Sequence, residues 1–496
     1  MKDKRINDDK KRSEVIFGNR MPAGVVIKAT KSKERFIKKY GDDSNVKYPL
    51  SIVDNAYIGK SLGVKNIVIA DDKNTQHFDR EKGIIVGNIR MGFGHYRISM
   101  AIASAANALG YTPYWMDLNS YTETTGGKVI ENQNKLYSLG SRISQKSRIF
   151  NHCVWEPMNY EGFRRLSYNA SDQMNAQLMT PVYANVPKDI PIVATHVWPA
   201  QAAVHAGMKY VVNAIPDNWP MALHLAEGSL HTVQTHSALL GYRTLNGMNG
   251  NRLSNPMGAK DIKYTGHYVD YELVDNIEKD CEERIKRARC KEPVRFLLTI
   301  GGAGAQREIF AAIIRYLIPH IKAHRAVLYI NVGDYKNVWE ELVREVDELD
   351  KLSTKHFNDW KETEQFSYDA LTSHKIKGIH SFYHANIYEA VYCTNLLMRS
   401  CDVLVTKPSE LSFYPVPKLF IKRVGGHERW GAIHSAEIGD GTPECRDIPH
   451  TLQMLKLFLK DRELIVEMCE NIIINKKAGV YNGAIEVVKL AFNLKK

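Results

Sequence analysis

Twice along this chain a run of buried-type residues gives way to a glycine turn and then to a helix-like run. The first instance is IIVGNIRMGFGHYRIS, residues 84–99: Ile84 to Val86 read as a strand, and Gly92 and Gly94 flank Phe93. Small and apolar residues then recur at helical spacing from Ser99 to Leu109. The second is VRFLLTIGGAGAQ, residues 294–306. A strand, a tight turn and a helix start aim unpaired backbone N–H groups and the positive end of the helix dipole at whatever lies above them. Such a junction suits an anion or a sugar hydroxyl, and His95 stands at the mouth of the first one. A turn that binds nothing, with His95 capping a local group, is the other reading that an isolated Gly-x-Gly allows.

Strand-like and helix-like segments alternate on either side of these turns. PIVATHVWPAQAAVHAG (191–207) reads as a strand, a His and Trp loop and an alanine-rich helix. YVVNAIPDN (210–218) reads as a strand ending in Pro-Asp, and IKYTGHYVD (262–270) as a strand with a glycine exit. This order predicts a parallel, doubly wound sheet with its site in the loops at the strand C-termini. VDNIEKDCEERIKRARCKEP (274–293) predicts a charged, solvated helix at a domain junction. The pattern then restarts with VRFLLTIGGAGAQ, AVLYINVG (326–333) and DVLVTKPSELSFYPVPKLFI (402–421). The expectation is an α/β protein of two Rossmann-like domains facing across a cleft, residues 1–285 and 286–470. Residues 451–494 read as a pair of amphipathic helices, the last of which (471–496) crosses back to brace the first domain. A chain of 496 residues has room for two or three such units.

The formal net charge of +12 draws the chain toward polyanions: anionic membranes, phosphate-bearing substrates or nucleic acid. Zinc-finger spacing, RNA-recognition signatures and glycine-arginine tracts are missing from the sequence, so nucleic acid rests on charge alone. Seven scattered cysteines without close pairs predict reduced thiols and no structural metal. The histidines at 196, 205, 224, 231, 236 and 267 follow no common ligand spacing. No apolar run is long enough to span a bilayer and the first residues are charged, which predicts a cytoplasmic location.

MGFGHYRIS, ATHVWPAQAAVHAG, AIPDN, IKYTGHYVD, TIGGAGAQ and DVLVTKPSELSFYPVPKLFIKRVGGHERWGAIHSAEIGDG follow one another from about residue 84 to 441. Their order resembles the GT-B glycosyltransferases related to monogalactosyldiacylglycerol synthase, diacylglycerol glucosyltransferases and the lipid II-forming N-acetylglucosaminyltransferase. The resemblance implies a sugar transfer from a nucleoside diphosphate sugar, most simply a uridine diphosphate sugar, to an acceptor hydroxyl. It offers His95 as the catalytic base, a role that a neutral imidazole fits. Gly92 and Gly94 then belong to the acceptor-side turn, and His196 and Asp217, in the next two loops, line the same cleft. Trp219 stands on that side too, as a surface that stacks a sugar or as core.

On the donor side the resemblance implies that Gly301, Gly302 and Gly304 lie under the phosphates, with Gln306 opening the helix. It places Lys407 near the sugar nucleotide, with Ser409 beside it, and Glu410 as the carboxylate for the ribose hydroxyls. The segment between Lys407 and Pro417 is shorter than the family pattern, so Glu410 either keeps that role in a compressed loop or replaces a family glycine. GGHERWGAIH (425–434) makes His427 and Glu428 candidates for the donor sugar. The absence of an Asp-x-Asp motif accords with a reaction that needs no metal cofactor, the leaving-group charge falling to the glycine loop, a helix N-terminus and Lys407.

Two other functions fit the same architecture: a nucleotide-sugar 2-epimerase, for which no carboxylate pair can be assigned here, and a non-catalytic sugar-nucleotide or polyanion binder. The acceptor stays open. KATKSKERFIKKY (28–40) fits docking on an anionic membrane at the inner face, or simply a solvated helix face.

Overall fold

Two mainly parallel sheets carry the chain. The computed structural model describes residues 9–70, 77–90, 92–146, 151–155, 157–250, 252, 254–300 and 306–495. The first sheet uses β1 (Leu50–Asp54), β2 (Lys65–Ile69), β3 (Gly83–Asn88), β4 (Thr112–Asp117), β5 (Ile192–Ala194), β6 (Val211–Ala214), β7 (Leu230–Val233) and β8 (Ile262–Tyr264). Its order is β8-β7-β6-β5-β3-β4-β2-β1, parallel throughout except for the edge pair β1 and β2. The second uses β9 (Val294–Thr299), β10 (Ala326–Asn331), β11 (Ser353–Phe357), β12 (Ile379–Tyr383), β13 (Val403–Thr406) and β14 (Lys418–Phe420), in the order β11-β12-β10-β9-β13-β14. Every residue of β3 and β9 is buried, as expected of central parallel strands covered by helices on both faces.

In each sheet the connections reverse direction beside the first strand of the doubly wound unit, between β3 and β5 and between β9 and β13. The two crevices at these reversals are where an open α/β sheet receives ligands. They face one another across the molecule.

The helices that matter for the site are α1 (Ala23–Tyr40), α2 (Gly94–Ala108), α3 (Thr125–Lys146), α4 (Val197–His205), α5 (Ile277–Arg289), α6 (Arg307–Lys322), α7 (Ile387–Ser400), α8 (Ile448–Lys460), α9 (Glu463–Lys477) and α10 (Gly483–Asn493). Three helices close the chain where a pair was expected. The additional break follows α9, where Gly479 adopts φ +79° and the Val480 carbonyl accepts the N–H of His267 at 2.6 Å. That turn docks the C-terminal segment onto the linker leaving β8. From there α10 packs on the first sheet: Ala484, Val487, Val488 and Ala491 share a cluster with Ile84, Val86 and Ile98, and Phe492 stacks on Tyr111 at 3.7 Å.

The charged helix expected to be solvated is instead half buried. Arg284 of α5 donates to the carbonyls of Cys401 (2.8 Å) and Met398 (2.6 Å), and Arg287 donates to Asp402 at 2.9 Å. Asp280 receives Arg399 at 3.0 Å. α5 thus packs as part of the second domain, and the expected boundary at residue 285 falls inside it; the boundary expected at 471 falls inside α9 in the same way. Guanidinium groups can be buried this way because backbone carbonyls and carboxylates satisfy their donors. Charge patterning alone does not reveal those partners.

At the linker, the N–H of Gly483 donates to the His267 carbonyl at 2.9 Å, and Tyr268 pairs with Asn482. A Cβ on Gly483 would overlap the Gly266 carbonyl oxygen and lie 2.6 Å from that of His267. Gly483→Ala therefore loosens α10 and destabilises the protein by about 1–3 kcal/mol, read by thermal or urea denaturation. An unchanged midpoint would mean that this crossing is not tightly packed.

Buried histidines give a second expectation. His267 donates from Nδ1 to the Phe413 carbonyl at 2.8 Å and meets His434 Nε2 through Nε2 at 2.9 Å, an arrangement that leaves at least one of the two Nε2 atoms unprotonated, and burial lowers the pKa of both rings. Burial pushes His231, His380, His384 and His434 each down to about 4. Between pH 6.5 and 4 the unfolded chain takes up protons that these folded rings refuse. Stability is full above 6.5 and falls on acidification by up to about 1.4 kcal/mol per pH unit for each ring. The melting temperature should fall steadily over this window at constant ionic strength, whereas a flat profile would place these rings in solvent.

Candidate functional site

β3 ends at Asn88, and Gly92 in the turn that follows has φ +93°, a conformation that glycine adopts without strain. Phe93 leans across to the second domain, where it lies 5.5 Å from the Tyr335 ring and close enough to Gly333 that a Cβ there would lie 2.6 Å from it. Arg90 and Asp334 form an ion pair across the same rim. α2 begins at Gly94, with no side-chain cap from Phe93.

His95 stands on the first turn of α2. Its Nδ1 lies 2.6 Å from the Thr195 carbonyl oxygen, which can only accept, so Nδ1 carries the proton and donates. Nε2 is left with its lone pair. Burial lowers the pKa of the ring, opposed by the Thr195 hydrogen bond and then by Asp217, so the imidazole is neutral at pH 7. The ring meets His196 edge to face at 4.8 Å. His196 is itself held as the N-cap of α4, its Nδ1 accepting the Trp198 N–H at 3.1 Å.

Asp217, in the loop after β6, hydrogen-bonds His224 Nε2 at 2.8 Å. Burial raises its pKa, but His224, then His427 and His95, outweigh that and hold the carboxyl below the usual range. The Asp-His dyad of this site is therefore Asp217 with His224, and Asp217 reaches His95 only through space. His224 is the residue that sequence reasoning set aside among scattered histidines. Its signal was position, since it closes the same PDNWPMALH loop that opens with Asp217. Asn213 fixes that loop by donating to the His224 carbonyl at 2.6 Å.

Trp219 stacks with both Tyr160 (4.8 Å) and Trp430 (5.1 Å), with the Arg164 guanidinium 4.5 Å from its ring centre. Next to it Asn218 donates to the Trp430 carbonyl at 3.0 Å. Trp219 is thus part of a seam between the domains.

On the second domain, Gly301, Gly302 and Gly304 lie outside the described residues. Gln306 is the N-cap of α6, with φ +70°, and its amide donates to the Lys422 carbonyl, tying the turn after β9 to the loop after β14. Lys407 follows β13 and pairs with Glu428. Glu428 also accepts the N–H groups of Val424 (2.8 Å) and Gly425 (3.1 Å), so it organises its own loop while holding Lys407. Ser409 accepts the Ser412 N–H through its carbonyl at 2.9 Å and opens the short turn Glu410–Phe413. His427 packs against Gly425, where a Cβ would lie 2.6 Å from its ring, and its Nδ1 has no hydrogen-bond partner among the described residues.

Glu410 crosses to the first domain: one carboxylate oxygen lies 3.4 Å from where a Cβ on Gly94 would be, and the other 3.8 Å from Arg97 Nε. The structure therefore gathers His95, His196, Gly94, Asp217 and Glu410 at one crossing point, with Lys407, Glu428 and His427 on the opposing loops. Gly92 and Trp219 flank it. Among the described residues no group of three or more His, Cys, Asp or Glu is arranged to hold a metal ion.

Two Rossmann-like domains that face each other through their strand C-termini, with the last helix returned to the first domain, define the GT-B class of α/β proteins. Within it, residues 15–244 match the model of a domain of unknown function, DUF6937, and residues 257–492 match that of another, DUF6938. No curated protein matches the sequence. Among solved structures, the chain is similar to the UDP-GlcNAc 2-epimerase from Neisseria meningitidis bound to UDP-GlcNAc, at 11% identity over 83% of this chain and 100% of that one, with a TM-score of 0.44. It is similar to an α,α-trehalose-phosphate synthase (UDP-forming) from Burkholderia vietnamiensis, at 12% identity over 84% and 98% of the two chains and a TM-score of 0.42. A third is the spinosyn rhamnosyltransferase SpnG complexed with thymidine diphosphate, at 11% identity, 82% and 96% coverage and a TM-score of 0.28.

The Asp217–His224 pair gives a prediction of its own. Asp217→Ala leaves a buried imidazole N–H without its acceptor and costs about 1–3 kcal/mol of stability. The double variant with His224→Ala should cost less than the two single losses summed, by roughly 1 kcal/mol in a thermal-denaturation cycle. Strict additivity would mean that the dyad does not form.

Proposed function

We propose that this protein is a glycosyltransferase that moves a sugar from a nucleoside diphosphate sugar, most simply a uridine diphosphate sugar, to an acceptor hydroxyl without a metal cofactor. The observation that carries this reading is His95: its protonated Nδ1 is anchored on Thr195, and its basic Nε2 is left beside the loops of the opposite domain. A neutral imidazole so held can take the proton of an acceptor hydroxyl as the sugar migrates. The leaving diphosphate would lie toward the N-terminus of α6 and Lys407, whose ammonium would exchange Glu428 for phosphate oxygens. His427, Glu428, Ser409 and Gln306 are assigned to the donor side, together with Gly301, Gly302 and Gly304. Closure of the seam around Trp219 and Trp430 would exclude water and limit donor hydrolysis.

For the acceptor, the first domain supports a lipid at an anionic surface, in line with the lipid-glycosylating families that the motifs resemble. α3 exposes Leu136 (56%), Leu139 (48%) and Ile143 (40%), three apolar residues at helical spacing. Asn134 of the same helix donates to the Arg90 carbonyl in the turn before His95, which ties α3 to that turn, while the stripe lies on the helix face turned away from it. On α1, Lys28, Lys31, Arg35, Lys38 and Lys39 are all exposed. Cations near such an apolar stripe favour peripheral contact with anionic lipid. No helix among the described residues is long and apolar enough to cross a membrane.

The test mixes the purified protein with uridine, guanosine, thymidine and adenosine diphosphate sugars in EDTA, with and without anionic phospholipid vesicles. It reads thermal shift and diphosphate release. One donor should stabilise wild type and His95→Ala alike, while release in the variant falls by about 10²-fold or more. Binding by none of the donors would sink the proposal.

A further inference from the structure

Glu410 sits where a donor-binding carboxylate would not need to be. It is carried by the second domain, yet its side chain points at the first turn of α2, beside Gly94 and Arg97. Arg97 is an unusual receptor. It is 2% exposed, its Nη1 donates to the Val391 carbonyl at 3.3 Å and to the Asn395 amide oxygen, and its Nε has no hydrogen-bond partner among the described residues. The only full charge placed against that Nε, among the described residues, is the Glu410 carboxylate at 3.8 Å. The start of α2 likewise receives no side-chain cap from its own N-cap residue. A helix N-terminus and a buried cation both favour an anion, and here the opposite domain inserts one.

The consequence concerns His95, which lies between Gly94 and Arg97 on that same turn. Its ring meets His196 edge to face and feels, through space, the charges of Asp217 and His224 from the first domain and of Glu410 from the second. Arg97 also feels Asp270, which binds the Tyr414 hydroxyl at 3.0 Å on the far side. Of these groups, Glu410 is the one that arrives with the other domain. We infer that Glu410 is a closure-dependent positioning residue: seated against Gly94 and Arg97, it fixes the first turn of α2 and adds, to the charge that Asp217 already places near His95, a second negative charge that strengthens His95 as a base when the domains are together. The inference rests on the transferase reading for its kinetic consequences, although not for its physical one. The proton itself passes only from the acceptor hydroxyl to His95 Nε2, and Glu410 neither gains nor loses one.

Glu410→Gln keeps the shape and removes the charge. The ring of His95, assigned by comparison with His95→Asn, should titrate at lower pH in Glu410→Gln than in wild type when followed by NMR. The acidic limb of the pH profile for kcat/KM should move the same way. With a donor in hand, kcat should drop on the order of tenfold while UDP affinity stays within about twofold. Glu410→Asp, one methylene shorter with the charge retained, should restore the titration but recover kcat only in part; it also serves if Glu410→Gln folds poorly. Tenfold weaker UDP binding with an unmoved His95 titration would overturn the inference and make Glu410 a donor ligand. If wild type transfers no sugar from any donor, the transferase reading fails, and the His95 titration, which needs no substrate, still decides this one.

Discussion

The position of His95 depends on one apolar cluster that belongs to neither domain alone. α2 packs its Ile98, Met100, Ile102 and Ala105 against β3 on one side, Val391, Tyr392 and Leu396 of α7 on another, and Ala484 to Phe492 of α10 on a third. Helix α7 comes from the second domain and α10 from the end of the chain, so three distant segments bury one helix together. Tyr388 at the start of α7 extends the contact, with its ring 5.7 Å from Tyr96 and 5.5 Å from Trp115. Burial on this scale stabilises by roughly 25 cal/mol per Å² of apolar surface, and a close-packed helix cannot rotate to re-aim one side chain without disturbing all three partners. His95 inherits that rigidity at its exposed end.

Against this apolar frame the polar groups are few and specifically answered. Lys418 and Asp440 are both fully buried, 2.8 Å apart, and the remaining donors of the lysine go to the carbonyls of Tyr414 (2.8 Å) and Val416 (3.1 Å). Asp440 also accepts from Ser435 and from the Tyr481 hydroxyl at 2.8 Å. Tyr481 lies in the turn that leads into α10, so the buried pair helps define where the last helix leaves the second domain. Ion pairs of this kind add little net stability, since desolvation offsets most of the attraction, but they penalise any arrangement that strands one partner. The arginines of α5 work the same way against the end of α7.

Much of the architecture was legible because parallel strands buried on both faces leave continuous apolar runs. Ile84 to Val86, Phe296 to Leu298 and Leu404 to Val405 announce central strands, and the glycines after two of them announce turns. Gln306 as the start of a helix was legible for the same reason. The failures share a cause of another kind. The helix at 277–289 looks solvated because charge patterning records side-chain type and not the carbonyls waiting to receive it. His224 was passed over because its partner is defined by a loop closing on itself. Glu410 is a different case, since the sequence places it only among its neighbours, while the contacts it makes to Gly94 and Arg97 come from residues more than three hundred positions earlier.

The sequence by itself determined two doubly wound units, the turns that open them and the residue types available at each turn, because strand burial and glycine geometry are local properties. Which side chains meet was decided only by tertiary structure. Glu410 goes to Arg97 because the return of α10 and the seam around Trp219 set how the two sheets face each other, whereas Asp217 meets His224 and Lys407 meets Glu428 where loops of a single domain fold back on themselves. The physical reason is range. Helix and strand signals act over a few residues, while the ion pairs and ring contacts at this crossing point are short-range forces between segments that the fold must first bring together.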